Sequence, residues 1–492
     1  MRLRLCVLLL CVLTVSLVGQ QPPAAQWPRF RGANGAGVSE TDRPPITFGP
    51  SYNRLWRVEV PPGHSSPAIW GDYLFVTALE NSTLIVMAFR RRDGTLLWRQ
   101  DAPSGSLEKV HPFSTPAAST PATDGQRVYT YFGSYGLLAH DFTGKEVWRK
   151  PLPAPPTQHG AATSPIVFDG KVILQLDGND GRSELLAFDA RTGDAIWRTP
   201  RPLLRESWST PIVWTHDGRD EIITVGSNRL TAYSASDGAE RWWVGGLTPA
   251  PITSAVCGGG MLFASATFGG SPSEPIGIPR WDTLVERYDA NKDALLTVSE
   301  MPSDEGIHVR PEVAKDVLGA TVPWPAAMGF ADGNQDGTVS KEEWNGMLAF
   351  MRNNEDNVLA IRPGGGGDST NSHVAWKASR GVSEMPSPLF YRERLYFVRN
   401  GGMVTSYVPD SGRLVLDRQR LGTLGMYVAS PVAADGRIYA ASETGTIVVF
   451  RAGDTLEVLA RNDLGEGITA TPAIADHKLY VRTAKHLWAF GS

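Results

Sequence analysis

The chain has 492 residues, 42% of them hydrophobic and 20% charged, so it carries ample material for a core and lacks a disordered composition. Its 47 Lys and Arg nearly balance its 51 Asp and Glu, which excludes the basic surplus that a nucleic-acid backbone demands. With 51 Gly, 36 Pro and 15 Trp, it has the turns and large packing anchors of an all-β repeat, not of a helical bundle.

Arg2 and Arg4 precede an apolar run over residues 5–18. That run is short of the roughly 20 residues needed to span a bilayer, so residues 1–25 read as a secretory signal peptide. The expected location is periplasmic or secreted, with no transmembrane segment after signal removal. Cys6 and Cys11 leave with the signal and Cys257 remains alone, so no internal disulfide can form. Its setting, Ala255-Val256-Cys257-Gly258, predicts a small core residue and not a nucleophile.

Internal repetition dominates the rest. A Ser/Thr-Pro pair opens an apolar stretch at Ser66, Thr120, Ser164, Thr210, Ser387, Ser430 and Thr471, and Ser254-Ala255 fills the same slot. Seven of the eight openings thus set a Pro at a strand start, where its missing donor is tolerated. Most intervals are 41–54 residues; one, of 133, must hold an insertion. Within a unit, four short strands alternate with turns, and the last closes on a Trp: Trp98, Trp148, Trp197, Trp242 or Trp376. Four-stranded sheets repeated radially predict an all-β, eight-bladed β-propeller, the indoles filling the wedges between blades. The eighth unit ends after three strands, and its fourth is predicted at Arg54-Leu55-Trp56-Arg57-Val58.

The run Ala187-x-Asp189-x-x-Thr192-Gly193-x-x-x-Trp197 resembles the Trp-docking repeat of propellers related to pyrroloquinoline-quinone enzymes. Looser copies span 88–98, 139–148 and 232–242. The leader Trp27-Pro28-Arg29-Phe30-Arg31-Gly32 is similar to the start of exported bacterial members of this repeat family. The resemblance covers residues 54–276 and 355–492 and implies fold more than chemistry. The expected layout is a segment at 26–53 packed on the propeller, blades 1–5 over 54–276, an insertion at 277–352, and the remainder over 353–492.

The insertion turns helical and carries two loops with EF-hand spacing. In the second, Asp332, Asn334 and Asp336 offer side-chain oxygens, Thr338 its carbonyl, Ser340 a water-mediated contact and Glu343 a bidentate carboxylate, with Gly337 at the sharp turn. In the first, Asp289, Asn291, Asp293, Leu295, Thr297 and Glu300 take the same places, but Ala294 replaces the glycine. The entering helix of the second loop is weakened by Pro323, Pro325 and Gly329. The insertion holds 13 acids against 7 bases, as calcium ligands would require. Calcium is the expected metal, and the pair resembles EF-hands.

Segments leading into first strands offer His64, His159, Glu206, Trp208, Glu384, Met385 and Glu466 to a central funnel; they read as loop residues facing water. No nucleophile elbow or zinc motif appears, no catalytic residue is assigned, and the residues of any cofactor site stay unknown. Two functions remain open. One is a non-enzymatic binding or scaffold protein for a protein or polysaccharide partner, monomeric and calcium-loaded. The other is a quinone-dependent alcohol or sugar dehydrogenase. One mature cysteine cannot make the vicinal disulfide of the larger family enzymes, so pyrroloquinoline quinone is not expected.

Overall fold

The computed structural model describes residues 26–103, 105–267, 278–310, 312–317, 320–353 and 356–491. The residues of the signal-peptide reading lie outside these. Eight antiparallel sheets, each with four blade strands, form the propeller, and in seven of them the strands follow sequence order from the axis outward. The all-β, eight-bladed fold expected from the repeat is therefore the one adopted. In the eighth sheet Arg54–Glu59 pairs with His486–Phe490, with Trp56 opposite Ala489 and Val58 opposite Leu487. Chain ends thus close the ring, and no blade is left with an open edge toward the gap.

The repeated Trp and Gly are one device. The Trp148 indole Nε1 donates to the carbonyl of Ala190 in the next blade at 3.0 Å. Trp56, Trp98 and Trp376 do the same to Arg91, Phe142 and Pro409. The turn glycine of that next blade lies against the indole face. Gly193 has φ +75°, and a Cβ there would sit 2.7 Å from the Trp148 ring. The position therefore requires glycine twice, for its backbone and for its missing side chain.

Strand alternation buries one side chain in two against the neighbouring sheet. Between blades 5 and 6, for example, Val256, Phe263 and Val358 pack with Leu395, Phe397 and Tyr407, all buried. Burial of each such side chain contributes about 1.5–3 kcal/mol. Cys257 lies on the first strand of blade 5, partly buried, and burial pushes its thiol up.

Residues 26–53 cross one face of the ring. Gln26–Trp27 adds to the first strand of blade 1, and Val38–Ser39 runs parallel to Val432–Ala434 of blade 7. Between them Asn34 exchanges two hydrogen bonds with the backbone of Val213 in blade 4, at 2.6 and 2.9 Å. Phe48 is buried against Phe490.

The insertion leaves blade 5 between Met261–Ala266 and Asn357–Ile361 and emerges at the opposite face. It contains helices α1 (Trp281–Tyr288), α2 (Trp324–Ala331) and α3 (Lys341–Asn353). Its own core joins Trp281, Leu284, Trp324, Met328 and Trp344. Gly329 does not interrupt α2. Pro325 lies at its start, where a missing donor costs nothing, and burial of Trp324, Ala327 and Met328 outweighs the glycine.

Candidate functional site

The eight Ser/Thr residues that open the blades meet around the axis. The Ser66 amide donates to Thr120 Oγ1 at 3.0 Å, and the Thr120 amide to Ser164 Oγ at 2.9 Å. The link continues through Thr210, Ser254, Ser387 and Ser430 to Thr471 at 3.0–3.1 Å. Seven of the eight hydroxyls, all but that of Ser66, thus satisfy the amide of the preceding blade. Spacing marked these residues as strand openings; the hydroxyl ring escaped notice because it exists only once the blades circle the axis.

The ring lines an axial chamber of about 480 Å³. Phe30 of the N-terminal segment bounds it on one side. At the other mouth stands the stretch joining the insertion's two acidic loops. Its hairpin pairs Gly306–His308 with Thr321–Pro323, and Thr321, Val322 and Pro323 face the chamber. Arg310, on the turn side of the hairpin, forms a two-point ion pair with Glu384 of blade 6. Glu312 adds a second pair with Arg399 at 3.5 Å, and Val313 and Ala320 pack on Met426. The insertion is therefore docked over the funnel.

Of the funnel residues predicted from sequence, His64, His159, Trp208, Glu384 and Met385 come together at this chamber. Glu206 does not face it. That carboxylate is buried and accepts the Gln158 amide at 2.7 Å, so the water-facing reading fails there and for the equally buried Trp208. Glu466 lies in blade 8, bonded to Thr483 and to His486 at 2.5 Å each. His111, Phe113 and Arg310 were missed. His111 lies in the long approach to blade 2, whose 54-residue interval was the available signal.

Burial disfavours the charged form of the chamber's imidazoles. Burial, with help from the Arg482 charge, pulls His64 down to about 4. Burial and Arg310 lower His111; burial and His111 lower His159. The two latter rings meet edge to face at 4.8 Å, and His159 contacts the Trp208 ring at 4.9 Å.

A quinone site of the resembling family would need a calcium ligand set and a free carboxylate base in this funnel. The side chains present do not fit it. Glu384 is the one acid among the described residues of the chamber and is held by Arg310. Glu206 and Glu466 are engaged elsewhere, and among the described residues no three His, Cys, Asp or Glu side chains converge as metal ligands, the insertion's loops included, where the carboxylates accept the loops' own amides.

The two loops of the insertion share one geometry. Leu296 pairs with Val339 and Thr297 with Thr338, which joins them back to back. In each loop the sixth amide donates to the first carboxylate at 3.0 Å: Ala294 to Asp289 and Gly337 to Asp332. The seventh amide donates to the fifth carboxylate at 2.8 Å: Leu295 to Asp293 and Thr338 to Asp336. The ninth amide meets the twelfth at 2.9 Å: Thr297 to Glu300 and Ser340 to Glu343. Asn291 and Asn334 each accept the amide two residues on. Ala294 has φ +62°, in the region a glycine fills at Gly337. None of these six carboxylates forms an ion pair with a basic side chain among the described residues.

The family model described as outer membrane protein assembly factor BamB matches residues 50–200, 82–265 and 343–491. BamB from Moraxella catarrhalis superposes with a TM-score of 0.52 at 12% identity, over 89% of this chain and 98% of that one. A europium-containing methanol dehydrogenase gives 0.53 at 12%, over 95% and 98%. The quinohemoprotein alcohol dehydrogenase from Comamonas testosteroni gives 0.53 at 14%, over 95% and 81%. At such identities these likenesses show the fold alone. No protein with a curated description matches in sequence. No helix among the described residues is long and apolar enough to cross a membrane. With the family model covering both halves of its propeller, the chain belongs to the BamB-like family of pyrroloquinoline-quinone-type β-propeller repeats.

Proposed function

We propose that this protein is a non-enzymatic binding propeller of the cell envelope, with a calcium-loaded EF-hand pair that holds a lid over its axial chamber. The observation that carries the reading is covalent continuity. The first loop ends at Glu300, the lid hairpin follows at Gly306–His308, and α2 runs from Pro323 directly into Asp332 of the second loop. Ordering the loops therefore orders both ends of the hairpin. Six loop carboxylates without basic partners among the described residues supply the charge a divalent cation would neutralise. Calcium would take side-chain oxygens of Asp289, Asn291, Asp293 and Glu300 in one loop, and of Asp332, Asn334, Asp336 and Glu343 in the other. Leu295 and Thr338 would add carbonyls.

The BamB name of the family supports a protein partner over a turnover substrate, and the engaged funnel carboxylates support the same choice. Calorimetric calcium titration of the mature chain tests the reading. Two bound ions, one lost in Glu343→Gln, are expected. Absence of binding, or dye-linked alcohol or sugar oxidation with added quinone that Glu384→Gln abolishes, would overturn it.

A further inference from the structure

Seven of the eight ring hydroxyls accept a neighbouring amide, and none of the eight donates its own proton to an acceptor among the described residues. All eight line the chamber. A hydroxyl that already accepts a hydrogen bond is polarised to donate a stronger one. The ring therefore presents converging O–H donors to whatever occupies the axis.

Two buried cations lie behind the ring, outside the chamber's own lining, and neither pairs with a carboxylate among the described residues. Arg31 donates to the carbonyl of Pro388, next to Ser387 of the ring, at 2.6 Å. Its Nε and Nη1 have no partner among the described residues. Arg482 donates to Ser65 Oγ at 2.8 Å and to the Thr77 carbonyl at 2.6 Å, beside Ser66 of the ring. Its Nε is likewise unpartnered. Both guanidiniums are almost wholly buried, and that burial pulls each down to about 9. A buried charge without a counter-ion is costly, and a mobile anion nearby relieves it. The one acid among the described residues of the chamber, Glu384, is already neutralised by Arg310.

We propose that the axial chamber binds an oxyanion, free or as the head group of a small phosphorylated or sulfated molecule. It would sit against an arc of the hydroxyl ring in the field of Arg31 and Arg482. The chamber's size suits a small molecule and not a polymer. This inference is independent of the calcium reading, because its ligand has the opposite charge and its residues belong to the propeller.

Titrating the mature chain in chelator-containing buffer with inorganic phosphate, sulfate and glucose 6-phosphate tests it by calorimetry. Saturable binding of one anion per chain is expected. A preference for glucose 6-phosphate identifies the head-group form, and equal binding of phosphate the free ion. Thr471 lies on the arc between Ser387 and Ser66. Thr471→Val should weaken binding at least about tenfold, as loss of a hydrogen bond to a charged group implies, and Thr471→Ser should restore it. Should Thr471→Val fail to fold, a crystal soaked in selenate decides, with the anomalous peak expected inside the ring. No saturation up to about 20 mM of any probe would overturn the proposal and leave a water-filled channel. So would unchanged affinity in folded Thr471→Val, or a selenate peak only outside the ring.

Discussion

Glu108 shows what one buried carboxyl does to the whole. It accepts the Ala161 amide through Oε2 at 2.9 Å, while Oε1 is buried without a partner among the described residues. Desolvation outweighs that hydrogen bond and pushes it up to about 7. The folded state thus keeps a proton that the unfolded chain releases near its ordinary value of 4.5. Stability then falls as pH rises from about 4.5 through 7 and levels above it. Glu108→Gln, which keeps the acceptor, should flatten that slope and melt higher than the wild type at pH 8, with little difference at pH 5; melting curves across that range check it. Ala294 is strained in a different way. Its φ of +62° costs on the order of 1 kcal/mol, so Ala294→Gly should tighten calcium at the first loop about fivefold. Titration calorimetry measures this, and equal affinities would refute the account of that position. At Gly193, substitution by Val should destabilise by about 2–4 kcal/mol in denaturant unfolding, through backbone strain and the collision with Trp148.

Blades were legible in sequence because each carries its own punctuation. The Ser/Thr-Pro opening, the Thr-Gly turn and the closing Trp recur at local spacing, and each has a local physical cause. The loops were legible for the same reason, since twelve consecutive residues specify them. The chamber was not. Phe30, His111 and Arg310 are far apart in the chain and meet only because the leader crosses one face and the insertion crosses the other. Glu206 misled for a related reason. A carboxylate in an approach segment looks solvated until the fold supplies an amide such as that of Gln158. At this scale the insertion is separable. It has a core of its own around Trp344, and it leaves and rejoins one blade at adjacent strands. Replacing residues 277–352 by a short linker should leave a cooperatively melting propeller by calorimetry and remove calcium binding. Failure of that variant to fold would show that the lid contacts at Glu384 and Met426 are required for the ring.

For the molecule as a whole, ring closure and lid closure are distinct. Closure of the ring rests on Trp56, whose indole Nε1 bonds the Arg91 carbonyl at 2.9 Å and whose strand completes blade 8. Trp56→Ala should cost about 3–5 kcal/mol, as a core Trp does, despite its place near the start of the mature chain. In the proposed function, lid closure rests on calcium at the loops. Hydrogen exchange on the mature chain, with calcium and with chelator, tests that coupling most directly. Calcium should slow exchange in both loops and also in the hairpin strands Gly306–His308 and Thr321–Pro323, leaving the outer strands of blades 2–4 unchanged. Protection confined to the loops, or none anywhere, would contradict the account of a calcium-held lid.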